Sequence, residues 1–289
     1  MSRQDLSGGD STSLTDSSEI RSEPVNRQAW DRLAERGAPL ASPATDQDFR
    51  DPLRTVDGAG WLGQSIKGWR VLCLAAGGGR QGPLYAAAGA LVTVVDISPS
   101  MLQLDRQVAE SRRLSLRTIE ASMDNLTGLA DRCFDAVIHP VSTCYVRRTQ
   151  PVFAEVARLL RSGGLYISQH KTPQNMQATM SVGADGHYGF RHPYYTEHPV
   201  PYPSETNSAA QRLREPGAIE YLHRWEEIVG GICRAGFVIE DLVEPVHAKP
   251  HTTSGEFAHR AQFVAPYVRI KARRIGTTST EINKLSIVW

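Results

Sequence analysis

The stretch VLCLAAGGGRQG, residues 71–82, is an apolar run that breaks into glycines, and a second apolar run, LVTVVD, follows it and ends at Asp96. This pattern predicts a strand, a tight turn and the N-terminus of a helix. Backbone N–H groups and the positive end of the helix dipole at such a turn can hold a nucleotide-like ligand. An acid about 20 residues further on would stand at the tip of the next parallel strand, within reach of ribose hydroxyls. The sequence therefore predicts a cofactor site.

The glycines fit two cofactor-binding patterns. Gly77, Gly79 and Gly82 match G-x-G-x-x-G, the dinucleotide fingerprint, with Asp96 where an acid would bind the ribose of NAD. The segment also resembles the first motif of class I S-adenosylmethionine-dependent methyltransferases, a strand that leads into an acid-x-Gly-x-Gly-x-Gly loop. Here Cys73 stands at the position of the acid and Ala75 at that of the first glycine. Both departures concern the part of the site that holds the amino-acid end of the cofactor.

Four later segments resemble the same family in the family's own order. They are ISPSML (97–102), ASMDNL (121–126), FDAVIH (134–139) and RLLRSGGLYI (158–167). In the family, the acid before the first segment binds both ribose hydroxyls, and the next residue packs on adenine. An acid in the second segment accepts from the adenine amino group, and the third segment is the fourth strand, whose tip borders the transferred methyl. The resemblance covers residues 66–170, with a weaker echo at 235–245, and it favours the methyltransferase.

The resemblance implies the fold and the cofactor. The expected fold is an α/β, Rossmann-like, seven-stranded, mostly parallel sheet with helices on both faces, and the expected cofactor is S-adenosyl-L-methionine. The residues that the resemblance assigns to cofactor binding are Ala75, Ala76, Gly77, Gly79, Asp96, Ile97, Met101, Met123, Asp124 and His139.

Three histidines are candidates for a catalytic base. Methyl transfer needs alignment of the nucleophile, exclusion of water and, for a hydroxyl or ammonium group, removal of a proton. His139 ends the predicted fourth strand and His170 follows the fifth. His223, in YLHRWEE, resembles a His-Arg step that faces the pocket in many small-molecule methyltransferases, and we expect it to be the base. The alternative for each is a positioning or packing role, since methyl transfer can run on geometry alone.

The flanking regions complete one domain. Residues 1–23 are polar without a signal-peptide core and predict a disordered tail, and residues 24–289 form the expected methyltransferase domain. A helix is predicted over 25–34. In similar methyltransferases a helix here covers the cofactor. The alternative is that Trp30 only packs on the edge of the domain. Further helices are predicted near 99–111, 150–161 and 219–235. Strands are predicted at 238–243 and 262–271, the last limited by Pro266 to an edge or to a start at Tyr267.

Residues 171–217 interrupt the alternation of strands and helices. A loop of this length is usually functional or disordered, and its many tyrosines argue against disorder. We expect a substrate lid inserted after the fifth strand; the alternative is a surface flap packed by its own aromatics or by a partner subunit. Its histidines show no helical i, i+4 pair and no acidic ligand pattern, so no metal site is expected.

Composition narrows the class of substrate. A net charge of +1 gives no broad field for nucleic acid or an acidic membrane, and no run is long enough to span a bilayer. The strand tip HPVSTCY (139–145) lacks the Pro-Pro motif of enzymes that methylate base amino groups. We therefore expect the substrate to be a small molecule with an oxygen or nitrogen nucleophile. We also expect the protein to be a cytoplasmic monomer or homodimer, in which the four scattered cysteines stay reduced. The rival functions are an NAD-dependent oxidoreductase and a non-catalytic cofactor-binding regulator.

Overall fold

A computed structural model of the protein describes residues 22–276, which contain a seven-stranded sheet in the order β3-β2-β1-β4-β5-β7-β6. The strands are β1 (Arg70–Leu74), β2 (Leu91–Asp96), β3 (Leu116–Glu120), β4 (Phe134–His139), β5 (Leu160–Lys171), β6 (Phe237–Val243) and β7 (Tyr267–Arg274). Strands β1 to β5 run parallel, and β7 is antiparallel to both β5 and β6. The predicted Rossmann-like, mostly parallel sheet is confirmed.

Helices cover both faces of this sheet. They are α1 (Ser22–Glu35), α2 (Pro52–Val56), α3 (Gln81–Ala87), α4 (Pro99–Ser111), α5 (Gln150–Leu159), α6 (Pro173–Gln177), α7 (Ser208–Leu213), α8 (Gly231–Arg234) and α9 (Phe257–Arg260). On one face, α5 and α8 bury Phe153 and Ile232, and on the other, α3 and α4 bury Tyr85 and Leu102. Because both faces are covered, β1 and β2 are continuous apolar runs rather than alternating ones.

The strand order reverses between β1 and β4, where the carboxyl ends of the parallel strands form a crevice. Ligands bind at such a switch point in open α/β sheets. The glycine turn joins β1 to α3 at this edge, and Asp96 and His139 are the last residues of β2 and β4. The fold thus brings the predicted cofactor residues to one edge of the sheet.

Two helix starts differ from the sequence prediction, and the helix predicted near 150–161 ends at Leu159, where β5 begins. Helix α1 begins at Ser22, so the last two residues of the predicted tail are helical, and residues 1–21 lie outside the described part of the chain. The helix predicted over 219–235 is wrong in its first half, because helical turns begin only at Glu226, the first residue of a π turn that leads into α8. Glu220 instead pairs with Val200 as an isolated β-bridge, which keeps that stretch extended. Strand β7 does start at Tyr267, directly after Pro266.

Segment 171–217 is tied to the domain by buried charges. Lys171 Nζ donates to Glu220 Oε2 at 2.7 Å and to Glu215 Oε2 at 3.2 Å, while Arg214 Nε donates to Glu220 Oε1 at 2.9 Å. All four side chains are buried, and two positive groups face two negative ones. Removing one member would leave a buried charge without its partner, so the cluster acts as a unit. Whether the segment also closes over a substrate stays a prediction.

Gly82 tests the packing of α3 on the sheet. A Cβ atom on Gly82 would overlap Val94 Cγ2 and lie 3.1 Å from Asp105 Oδ1. We expect Gly82→Ala to lower the free energy of unfolding by about 1–3 kcal/mol, because the helix must move away from β2. Urea denaturation measures this, with Gly128→Ala as the control, since a Cβ there meets nothing within 4 Å. Equal stability of the two variants would contradict the close approach.

Candidate functional site

The glycine turn after β1 has left-handed backbone at three positions. Ala75 has φ 47°, Gly78 has φ 118° and Gly79 has φ 73°. Ala75 occupies the family's first glycine position and adopts a conformation that glycine takes more easily. A Cβ on Gly77 would lie 2.8 Å from Met101 Cβ, so only glycine lets the turn approach α4 this closely. The turn therefore exposes backbone rather than side chains.

The carboxylate of Asp96 joins this turn to the start of α4. Asp96 Oδ2 accepts from Gly77 N at 2.9 Å, and Oδ1 accepts from Ser98 N at 2.9 Å. Burial raises the pKa of Asp96 to about 6, although the backbone N–H donors act in the opposite direction. The side chain is therefore mostly ionised at neutral pH, as an acceptor for ribose hydroxyls must be.

Asp105 is a site residue that the sequence analysis missed. It lies on α4 and is fully buried, and its Oδ2 accepts from Gly78 N at 2.9 Å. Burial raises the pKa of Asp105 to about 7. The available signal was its position: it follows Met101 by four residues, so an acid falls on the buried face of an amphipathic helix. Two carboxylates, not one, hold the glycine turn.

A cavity of about 610 Å³ opens between the start of α1, the residue after β2, the loop after β3 and the segment after β4. Ile97, Met123 and Asp124 line it, together with Tyr145 and the start of α1. Thus three of the predicted cofactor residues share one cavity, whereas Gly77, Asp96 and Met101 contact one another outside its lining. Asp124 is exposed and accepts from Ser122 Oγ at 2.6 Å.

Helix α1 borders this cavity and is held by hydrogen bonds at two positions along its length. Asp31 Oδ1 accepts from Ser98 Oγ at 2.6 Å and from Ser100 N at 3.2 Å, at the N-terminus of α4. The buried Asn26 donates to Tyr145 O at 3.1 Å, and the Trp30 ring meets the Tyr145 ring edge-on at 5.8 Å. The predicted helix is therefore present next to the cavity, and Trp30 packs against a residue that lines it.

Two of the three candidate bases, His139 and His170, lie on one chain of side-chain hydrogen bonds. His139 Nδ1 is 2.8 Å from Tyr166 Oη, and the Tyr166 hydroxyl also bonds to Ser168. His170 Nε2 is 2.8 Å from Ser168 Oγ, and its Nδ1 is 2.8 Å from Thr143 Oγ1. All of these side chains are buried. His139 differs from His170 because its Nε2 has no partner.

His223 joins the same region through backbone groups. Its Nε2 lies 2.9 Å from Thr143 O and 3.0 Å from Val146 O. Because carbonyls only accept, Nε2 carries the hydrogen and Nδ1 is the nitrogen with a free lone pair. His223 is buried, so it contacts the loop after β4 as a structural tie in addition to any chemical role.

Burial changes the titration expected of these histidines. It lowers the pKa of His139 to about 3 and the pKa of His223 below the ordinary value, and it lowers that of His170 well below. All three histidines are therefore neutral at pH 7, because burial disfavours the charged imidazolium.

Comparisons with known proteins agree on one family. Residues 72–168 match the family model described as a methyltransferase domain. An uncharacterized methyltransferase of Bacillus subtilis, YbaJ, is 33% identical over 232 residues, which cover 76% of this chain and 89% of that protein.

Among the described residues, 22–276, no helix is long and apolar enough to cross a membrane and no group of three or more ligand side chains is arranged for a metal ion.

Solved structures show the same fold. An S-adenosylmethionine-dependent methyltransferase from Mesorhizobium loti has a TM-score of 0.58 at 21% identity, over 74% of this chain and 94% of that one. A geranyl diphosphate C-methyltransferase from Streptomyces coelicolor, solved with S-adenosyl-L-homocysteine, also has a TM-score of 0.58, at 15% identity over 89% of this chain and 99% of that one.

The low pKa of His139 predicts a loss of stability in mild acid. Between about pH 6.5 and 3 the unfolded histidine binds a proton and the folded one does not, so stability falls as pH falls through this range. At pH 5 this loss amounts to about 2 kcal/mol. Asp96 and Asp105, whose pKa values are raised, act in the opposite direction, so the comparison must be between variants.

We therefore expect His139→Gln to flatten the acid side of the stability profile by this amount relative to His198→Gln, a variant of an exposed histidine. Urea denaturation at pH 5, 6 and 7 measures both slopes. Parallel profiles for the two variants would mean that His139 is protonated in the folded protein.

Proposed function

Since this chain belongs to the class I S-adenosylmethionine-dependent methyltransferases, we propose that it methylates an oxygen or nitrogen atom of a small molecule and releases S-adenosylhomocysteine. Family membership decides against the NAD-dependent oxidoreductase that the same glycines suggest. When bound, S-adenosylmethionine supplies a methyl group already activated on its sulfonium. The protein therefore has to hold the cofactor, orient the acceptor and enclose both away from water.

The residues at the edge of the sheet fit this cofactor. The carboxylate of Asp96 is the observation that carries the proposal: it is buried at the tip of β2, it is held by Gly77 and Ser98, and it retains lone pairs for two ribose hydroxyls. Ile97 follows it in the lining of the cavity, where an adenine ring would pack, and Asp124 lines the same cavity as an acceptor for the amino group. Ala75, Ala76, Gly77 and Gly79 would offer backbone groups to the amino-acid end.

Met101 and Met123 have supporting positions in this assignment. Met101 packs against the turn at Gly77 and Gly78, and its backbone N–H is capped by Ser98 Oγ at 3.0 Å. Met123 is buried in the wall of the cavity. They would hold the turn and the adenine pocket in shape through packing rather than polar contact.

The acceptor is inferred from charge and from the strand tip. A chain with 32 basic and 31 acidic residues has no net field that would attract a nucleic acid. Pro140 is followed by Val141, so the planar-amine motif of base methyltransferases is missing here. These observations favour a small molecule, and we propose that its methylated atom belongs to a hydroxyl or amino group.

Proton removal, where it is needed, falls to a neutral histidine. His139 is the candidate whose Nε2 has no partner, whereas both nitrogens of His170 contact hydroxyls. His223 retains one lone pair, on Nδ1. We therefore propose His139 rather than His223 as the base, because its strand β4 pairs with β1, which leads into the glycine turn.

The proposed reaction is tested with methyl-labelled S-adenosylmethionine and a panel of small alcohols, phenols, amines and thiols. The proposal predicts labelled product and S-adenosylhomocysteine with some oxygen or nitrogen acceptors. Transfer confined to thiols, or to an added nucleic acid, would contradict the class of acceptor and leave the family assignment intact.

Asp96→Ala tests the cofactor site. Loss of the acceptor leaves ribose hydroxyls unpaired in a buried site, so we expect affinity for S-adenosylhomocysteine to fall by about 10- to 100-fold. Asp124→Ala should have a smaller effect, because Asp124 is exposed and water can replace it. Calorimetry on both variants, with Asp185→Ala in the distant insertion as a control, separates these outcomes. An equal or larger loss for Asp124→Ala would reverse the assignment.

A further inference from the structure

A second cavity, of about 80 Å³, lies on the other side of the glycine turn from Asp96. It shares no lining residue with the larger cavity. The loop after α2, the start of α3, and the tips of β4 and β5 surround it, with Arg269 from β7. Gln81, the first residue of α3, and His139, the last residue of β4, both line it. The cavity is therefore adjacent to the turn that we assign to the cofactor.

This cavity contains a concentration of unsatisfied polar atoms. In the described part of the chain, four buried side-chain atoms have no hydrogen-bond partner, and two of them, Gln81 Oε1 and His139 Nε2, belong to residues that line this one cavity. Buried polar atoms are nearly always hydrogen-bonded, and exceptions call for a cause. Two exceptions around one cavity indicate a ligand that supplies the missing bonds.

The chemistry of the lining defines the ligand. Gln81 Oε1 can only accept a hydrogen bond. The two charged groups in the lining have opposite signs and are already engaged: Asp57 accepts from Trp61 N at 2.9 Å and from Leu62 N at 2.7 Å, and Arg269 Nε donates to Gln169 Oε1 at 3.2 Å. Much of the remaining lining is apolar, with Ile138 and Ile167 among it. With one group of each sign, the lining carries no net charge, which favours an uncharged ligand.

We propose that this cavity binds the reacting end of the methyl acceptor, and that this end is an uncharged group with an N–H or O–H donor that bonds to Gln81 Oε1 and contacts His139 Nε2. The inference rests on the proposed function, because the acceptor must meet the methyl group at this edge of the sheet. It assigns recognition of the acceptor to α3 and β4. Segment 171–217 lines neither of the two cavities, so it is not the source of this contact.

Acetamide and acetone test the donor requirement. They have the same number of non-hydrogen atoms, but acetamide has an NH2 group where acetone has a methyl. In protein saturated with S-adenosylhomocysteine, we expect acetamide to bind about tenfold more tightly than acetone, because only acetamide satisfies Gln81 Oε1. Nitrogen-15 NMR reports the site directly, since acetamide should shift the ring resonances of His139 and the indole resonance of Trp61.

Variants separate the site from general effects. Gln81→Leu should remove the preference for acetamide, Gln81→Glu should keep it by retaining an acceptor, and Gln211→Leu, an exposed position on α7, should leave it unchanged. Equal affinity of the wild-type protein for acetamide and acetone, or shifts that avoid His139 and Trp61, would overturn the inference. Failure of S-adenosylhomocysteine to bind would instead overturn the proposed function, and the same samples show which has occurred.

Discussion

The carboxylate of Asp96 connects three parts of the site at one point. It accepts from Gly77 in the turn after β1 and from Ser98 at the start of α4, while its own backbone ends β2. Because Gly77 has no side chain, turn and helix approach until a Cβ would clash with Met101. The glycine turn can present its backbone to a ligand only while this contact holds it in place.

Other buried polar groups extend this support around the site. Asp105 holds the next residue of the turn, and Asp31 brings α1 to Ser98, so the helix that borders the large cavity is tied to the same point. On the other side, Tyr166 and Ser168 link His139 to His170 behind β4. Buried hydrogen bonds therefore hold the crevice between β1 and β4 on both sides, which suits a reaction that depends on alignment more than on a strong base.

The sequence predicted most of the fold because its signals are local. The run VLCLAAGGG, the acid that ends LVTVVD and the start of β7 after Pro266 each follow from neighbouring residues. The helix predicted from residue 219 failed because Glu220 is held by Val200 and by buried cations, contacts that no local pattern reveals. For the same reason the low pKa values of the histidines were missed, since burial is a property of the whole fold. The only sequence signal for Asp105 was an acidic residue on the face of helix α4 that is otherwise apolar.

A crystal structure with S-adenosylhomocysteine would test whether the tip of β2 binds the ribose of an adenosyl cofactor. We expect both ribose hydroxyls within hydrogen-bond distance of the Asp96 carboxylate, with the adenine between Ile97 and Asp124. A complex in which the ribose contacts other residues, or in which NAD occupies the turn and S-adenosylhomocysteine does not, would contradict it.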